Sequence, residues 1–131
     1  MPKILKKSKE NLDAAQKLID TGFYTSSVHC SYYSIFQIIK HILNHKFALD
    51  YNTQDELEAY KSHKNIYQAL YDKESNPSFR RDFRLKFTFI KEQRRRADYE
   101  NSDLFTPEES ITVKEASEIL RNKLKSKFIS I

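Results

Sequence analysis

The chain is nearly devoid of glycine: Gly22 is the only one among 131 residues, beside three prolines, one cysteine, one methionine and no tryptophan. So little glycine and proline argues against turn-rich all-β architectures. Phosphate-cradling glycine loops, both the P-loop and the dinucleotide fingerprint, need at least two glycines and are excluded. A single cysteine, Cys30, excludes an internal disulfide framework and cysteine-based zinc fingers. No apolar run approaches the roughly 18 residues of a membrane span, and the opening MPKILKKSKE has no apolar signal core. We expect a soluble, cytoplasmic protein with no membrane partner, built as one domain over residues 1–131. What the chain does have is 39% apolar residues, eight tyrosines, nine phenylalanines and 31% charged residues. A sizeable core is therefore available.

Charge is unevenly placed. Residues 1–60 hold seven basic and seven acidic groups, residues 61–96 eleven against four, and residues 97–131 five against seven. A local excess of positive charge interleaved with Tyr and Phe can attract a polyanion, although a helix rich in Lys and Arg is often only a solvated face.

Apolar periodicity predicts helices throughout and no strand. The first runs from Pro2 or Lys3 to Asp20, with Ile4, Leu12, Ala15 and Ile19 on one arc and Gly22 as its stop. The second, Thr25 to Lys46, carries the cleanest stripe: Val28, Tyr32, Ile35, Phe36, Ile39, Ile42 and Leu43. It reads as the central helix, N-capped by Thr25 or Ser26, with Cys30, Ser34, Gln37, His41 and His45 on a polar side. Thr53 with Glu56 reads as a capping box for a short helix within 47–61, and Ser62 as a cap for His63 to Lys73. Asn76-Pro77-Ser78 reads as a turn. A long helix from Ser78 to Ala97 then turns Phe79, Phe83, Phe87 and Ile90 one way. Residues 98–111 read as a loop, and Thr112 with Glu115 as the capping box of a last helix carrying Val113, Ala116, Leu120, Leu124 and Phe128. The expected fold is an all-α, up-and-down antiparallel bundle of four to five helices.

The long helix at 78–97 carries the chemistry. Arg80, Arg84, Lys91 and Arg95 lie roughly 100° to 160° round from Phe79 and form a basic stripe suited to phosphates. Arg94 falls between Phe83 and Phe87, on the apolar face. It must either snorkel, pair with Asp98 four residues on, or stand at a cleft floor as a phosphate clamp. Tyr32 and Tyr33 are placed to reach the same cleft, and Tyr99 to stack on a base or lend a hydroxyl. His41 and His45 have i, i+4 spacing, but no third ligand is placed, so no metal and no other cofactor is expected. His29 reads as an interfacial group flanking the core stripe. His63 opens a helix, whose N-terminal dipole favours a neutral imidazole competent as a base. Leu85 and Phe89 project away from the phenylalanine stripe and need a second covering surface.

Four segments, in order, resemble the HEPN family, the domain named for higher eukaryotes and prokaryotes nucleotide-binding. KENLDAAQKLIDTGFYTSSVHCSYYSIFQIIKHIL is similar to its opening helix pair, SHKNIYQAL to its middle segment and SITVKEASEILRNKL to its closing helix. RRRADYENSDLF resembles the Arg-x-x-Ala-Asp-Tyr signature of one prokaryotic branch, with Arg94, Asp98 and Tyr99 in position. The resemblance implies an all-α homodimer that handles RNA or nucleotides in toxin–antitoxin or defence systems, often beside a nucleotidyltransferase-type antitoxin. Active members are implied to be metal-independent endoribonucleases using an Arg followed four to six residues later by His. Here positions 98 to 100 are Asp, Tyr and Glu, and no His follows His63.

Three readings follow. The first is an RNA- or nucleotide-binding module without efficient cleavage, using Arg94, Tyr32, Tyr33, Arg80, Arg84, Lys91, Arg95 and Asp98. The second is an endoribonuclease in which Arg94 works with His63, Tyr33 or Tyr99. The third is an interaction module whose basic helix docks an acidic partner. The missing histidine favours the first, because cleavage without a metal needs one group to take the 2′-hydroxyl proton and another to protonate the leaving oxygen.

Overall fold

Helix α1 (Lys3–Asp20) buries Leu5, Ser8, Leu12, Ala15 and Ile19, one residue every three or four positions. Leu5 takes the core position expected of Ile4, which lies half-buried at the edge of the stripe. The helix stops where expected. Gly22 adopts φ +88, its N–H donates to the Ile19 carbonyl at 3.2 Å, and the Phe23 N–H reaches back to Leu18 at 2.7 Å. This is the doubly bonded left-handed terminus that glycine adopts at least cost. The structure, a computed structural model, describes residues 2–61, 63–100 and 104–129, and the side chains of these except 57–61 and 63–64. The Ser62 cap lies outside the described residues.

Helix α2 (Tyr24–Phe47) is the centre. It packs against α1, α3 (Tyr51–Lys61), α4 (His63–Lys73), α5 (Pro77–Tyr99) and α6 (Pro107–Phe128). The whole predicted stripe is buried, each large side chain contributing about 1.5–3 kcal/mol by leaving water. Ile38, Ser34 and His41 are buried as well, so the expected polar side is largely enclosed by neighbours. No side chain caps α2: Thr25 Oγ1 instead accepts the Phe105 N–H at 3.0 Å.

The described residues form six helices and no strand, one more than the four to five expected of the bundle; the short helix expected within 47–61 is an 11-residue element of its own, separate from the helix at 63–73. The expected caps are displaced in three places. Asp50 Oδ1, not Thr53, accepts at the start of α3, from the Thr53 N–H at 2.8 Å. Asn76 accepts the Phe79 N–H at 3.0 Å with Pro77 in the first turn, so the expected turn is itself the start of α5. The start of α6 moves six residues earlier than expected, its cap being Thr106 instead of Thr112. Thr106 and Glu109 exchange 3.1 Å bonds in a capping box ahead of the core stripe, and Thr112 merely bonds back to the Glu108 carbonyl.

Two cores follow. The larger joins α2, α4, α5 and α6 through Tyr32, Phe36, Ile39, Phe83, Phe87 and Leu120, with Tyr67 stacked on Phe87 at 4.5 Å. The smaller, Val28, Phe105 and Val113 backed by Ala97, ties the start of α2 to the end of α5 and the start of α6. Arg96 strengthens that junction, lying 4.1 Å above the Phe105 ring and 2.6 Å from Glu109, whose pKa it holds below the usual carboxylate range. The end of α5 is thereby pinned against α2. No described helix is long and apolar enough to cross a membrane.

Candidate functional site

Arg94 and Asp98 are four residues apart on α5, and His29 and Tyr33 are four apart on α2. Each pair shares one helix face, and the small core at the end of α5 brings the two faces together. Arg94 Nε lies 2.8 Å from Asp98 Oδ2, and Arg94 Nη2 donates to the Tyr33 hydroxyl oxygen at 3.2 Å. The guanidinium carbon stands 5.3, 5.6 and 5.4 Å from the ring centres of Tyr32, Tyr33 and Tyr99. The Arg94 side chain is only 16% exposed. Its burial works against the charge, but Tyr33, Asp98, Tyr99 and Tyr32 outweigh burial and raise its pKa further. The arginine therefore stays charged. Its Nε–H points badly at the carboxylate and makes no aligned hydrogen bond, so Asp98 holds Arg94 by charge rather than by a closed fork.

His29 was expected only as an interfacial group. Its Nδ1 sits 3.0 Å from Asp98 Oδ2 and 3.2 Å from Oδ1, and its ring lies 4.7 Å from that of Tyr33. A carboxylate only accepts hydrogen bonds, so the bond requires the proton on Nδ1. In the neutral ring the Nε2 lone pair then faces away from Asp98. Arg94 Nε and His29 Nδ1 share one oxygen, which places them within about 6 Å of each other. The signal in the sequence was the i, i+4 pairing of His29 with Tyr33; what the sequence does not encode locally is that the two faces meet.

The site has a hollow on either side. One, of about 420 Å³, is lined by Tyr67, Lys91, Glu92, Arg94 and Arg95. Tyr67 is an uncharged phenol there, its pKa pushed up to about 12 chiefly by burial. The other, of about 320 Å³, is lined by Thr25, Ser26, His29, Cys30 and Asp98. Burial raises the Cys30 pKa, so this residue is a thiol rather than a reactive thiolate.

The remaining expected site residues fall differently. Lys91 opens on the Arg94 hollow. Arg95 is pinned outward by Glu92 at 2.7 Å and Glu100 at 2.9 Å, and these bonds raise its pKa. Arg80 lies 4.1 Å over the Tyr71 ring, 14 residues and so about 21 Å along α5 from Arg94, and Arg84 is exposed between them. The basic stripe is therefore neutralised at one end and distant at the other. The His63 side chain lies outside the described residues. Among those described, no three or more His, Cys, Asp or Glu side chains converge as a metal-binding group would require.

Leu85, Phe89 and Ile119 are exposed large apolar side chains on α5 and α6. A family model for the HEPN domain matches residues 1–127. No curated protein matches the chain. The family match runs to within one residue of the end of α6 and so takes in all six helices; the chain belongs to the HEPN domain family.

Proposed function

We propose that the protein binds RNA or a nucleotide, with Arg94 seating a phosphate in the hollow that it shares with Lys91. The observation that carries this is the state of Arg94 itself. It is a charged guanidinium, largely buried among three phenol rings, held on one side by Asp98 without a closed fork, and open on the other to the hollow that it shares with Lys91. A buried arginine kept only for structure is expected to have its N–H groups closed by acceptors. The Arg-x-x-Ala-Asp-Tyr pattern at Arg94 to Tyr99 supports the reading of the chain as one of the prokaryotic branch that it resembles. The matching role is in a toxin–antitoxin or defence system in the cytoplasm, beside a nucleotidyltransferase-type antitoxin. Leu85, 52% exposed, and Phe89, 39% exposed, support a homodimer that covers them. The test is binding of labelled RNA at low salt. Arg94→Gln should weaken it about tenfold or more, the worth of a charge-assisted pair, and unchanged affinity would remove the phosphate seat.

One observation favours a second reading, metal-independent RNA cleavage: the Asp98-held His29. Asp98 orients the ring, and His29 Nε2 takes the proton from a ribose 2′-hydroxyl. That oxygen attacks the adjacent phosphorus while Arg94 neutralises the charge growing on the phosphate oxygens. The bond to the 5′-oxygen breaks, and the leaving oxygen receives a proton from Tyr33, Tyr99 or water, leaving a 2′,3′-cyclic phosphate. His63, which opens α4, is the imidazole that the sequence offers for the same role. Total RNA incubated in EDTA separates the readings. Cleavage lost in His29→Asn but kept in His63→Asn assigns the proton transfer to His29, and absence of cleavage from pH 6 to 9 leaves the binding reading alone.

A further inference from the structure

A larger hollow lies outside the site just described but shares a wall with it. Its volume is about 760 Å³, and it runs between the first turns of α1, the middle of α2 and the start of α3. Its lining includes Lys3, Lys7 and Lys40 with Tyr33, Phe36 and Tyr51, and no acidic residue. Among the described residues neither Lys3 nor Lys7 has a carboxylate partner. Lys40 has its ammonium 5.6 Å from the Phe36 ring centre and 3.6 Å from Asp55, whose side chain stands 64% exposed. The Tyr51 pKa is raised by burial, with Lys40 working against it, so this wall is an uncharged phenol. Helix α1 adds to the field: its first turn holds no acidic residue and no side chain caps it, so its first backbone N–H groups face outward beside Lys3.

Three cations, of which Lys40 is paired with a carboxylate, and three aromatic rings in one concave space match a nucleotide unit, with a base to stack and phosphates to neutralise. Tyr33 makes the connection. Its hydroxyl accepts from Arg94 while its side chain also lines this groove. A strand seated on Arg94 therefore passes Tyr33 to reach the lysines. We propose that the groove is a second nucleotide subsite, which takes the base and phosphate of a single-stranded polynucleotide next to the nucleotide held at Arg94. The inference rests on the phosphate-seat reading of Arg94 and deepens it. It makes the ligand a strand rather than a free nucleotide.

The test is the affinity of a short labelled oligo(A) by fluorescence anisotropy over a salt series, with AMP as competitor and a thermal melt of each variant as the fold control. In the Lys3→Gln/Lys7→Gln protein, Kd should rise by about tenfold per lysine near 50 mM salt. The slope of log Kd against log salt should fall by about 1.4, at about 0.7 per single-strand phosphate contact. Tyr51→Leu should weaken binding with the slope unchanged, as lost stacking does. If these variants bind as the parent does while Arg94→Gln weakens binding, the groove is not a subsite and the Arg94 seat stands alone. If AMP displaces the oligonucleotide at concentrations near the oligonucleotide's own Kd, one nucleotide suffices and the strand claim is wrong. If the parent protein binds no oligonucleotide, both the seat and the groove fall.

Discussion

Replacing Asp98 by Asn should pull binding and cleavage in opposite directions. Asp98 Oδ2 is 2.8 Å from Arg94 Nε, so a phosphate on the far edge of the guanidinium stands about 7 Å from the carboxylate. Two negative charges at that distance repel by about 0.6 kcal/mol at the dielectric of water and about 2.4 kcal/mol at an effective dielectric near 20. The side chains are 16% and 21% exposed, and salt screens part of the interaction, so an intermediate value of about 1 kcal/mol applies. Removing the charge should tighten RNA binding about fivefold. The amide also changes His29. An asparagine can turn its N–H toward Nδ1, which moves the ring proton to Nε2 and removes the base. Any metal-independent cleavage should therefore drop by about a hundredfold or more while Kd falls. Anisotropy and a gel assay on one preparation read both effects. The substitution sits one residue before the end of α5, where a carboxylate opposes the helix dipole, which offsets part of the lost ion pair with Arg94, and a thermal melt of the variant serves as the fold control. Weaker or unchanged binding in Asp98→Asn refutes the placement of the phosphate on Arg94.

Two further outcomes test the scaffold. Ser8→Ala should cost about 1–3 kcal/mol in urea unfolding, because buried Arg121 donates its Nε–H to Ser8 Oγ at 2.9 Å and Ser8 in turn donates to the Ser34 carbonyl at 2.6 Å; a loss below about 0.5 kcal/mol would show that Arg121 finds another acceptor. His41 is buried against His45, and its pKa lies below 6.5 through burial and then the neighbouring imidazole. The unfolded chain thus takes up this proton first, and stability present above about pH 6.5 is lost as pH falls below it. His41→Asn should flatten the fall in melting temperature between about pH 7.5 and 5.5, and an unchanged slope would assign that fall to other groups.

The fold was legible where burial has a local period and illegible where it depends on neighbours. Val28, Tyr32, Ile35, Phe36, Ile39, Ile42 and Leu43 announce α2 because one stripe satisfies a helix with one covered side. The burial of Ser34, Ile38 and His41 follows from five other helices meeting this one, which no window of sequence expresses. Helix starts failed for a related reason. Thr53-x-x-Glu56, Thr106-x-x-Glu109 and Thr112-x-x-Glu115 all fit the capping pattern, and only the second is used as such. Pro107, which prefers the first turn and cannot sit well inside a helix, favours Thr106 over Thr112, and Asp50 preempts Thr53 as the acceptor.

At the site, each helix face was legible and their meeting was not. Arg94 with Asp98, and His29 with Tyr33, are i, i+4 pairs visible in the sequence, but the clamp of Val28, Phe105 and Val113 that joins them spans residues far apart along the chain. Charge misled more directly. The excess at 61–96 drew attention to α5, yet Arg95 is matched by Glu92 and Glu100, and Arg96 by Glu109. Residues 1–60 sum to zero, yet their folding sets Lys3, Lys7 and Lys40 around one groove and turns most of their carboxylates elsewhere. A polyanion responds to cations gathered in a shared concavity, not to the count along a segment. The proposed path of a strand on this surface therefore follows Arg94, Tyr33 and the α1 lysines, across the grain of the helix that carries the most arginine.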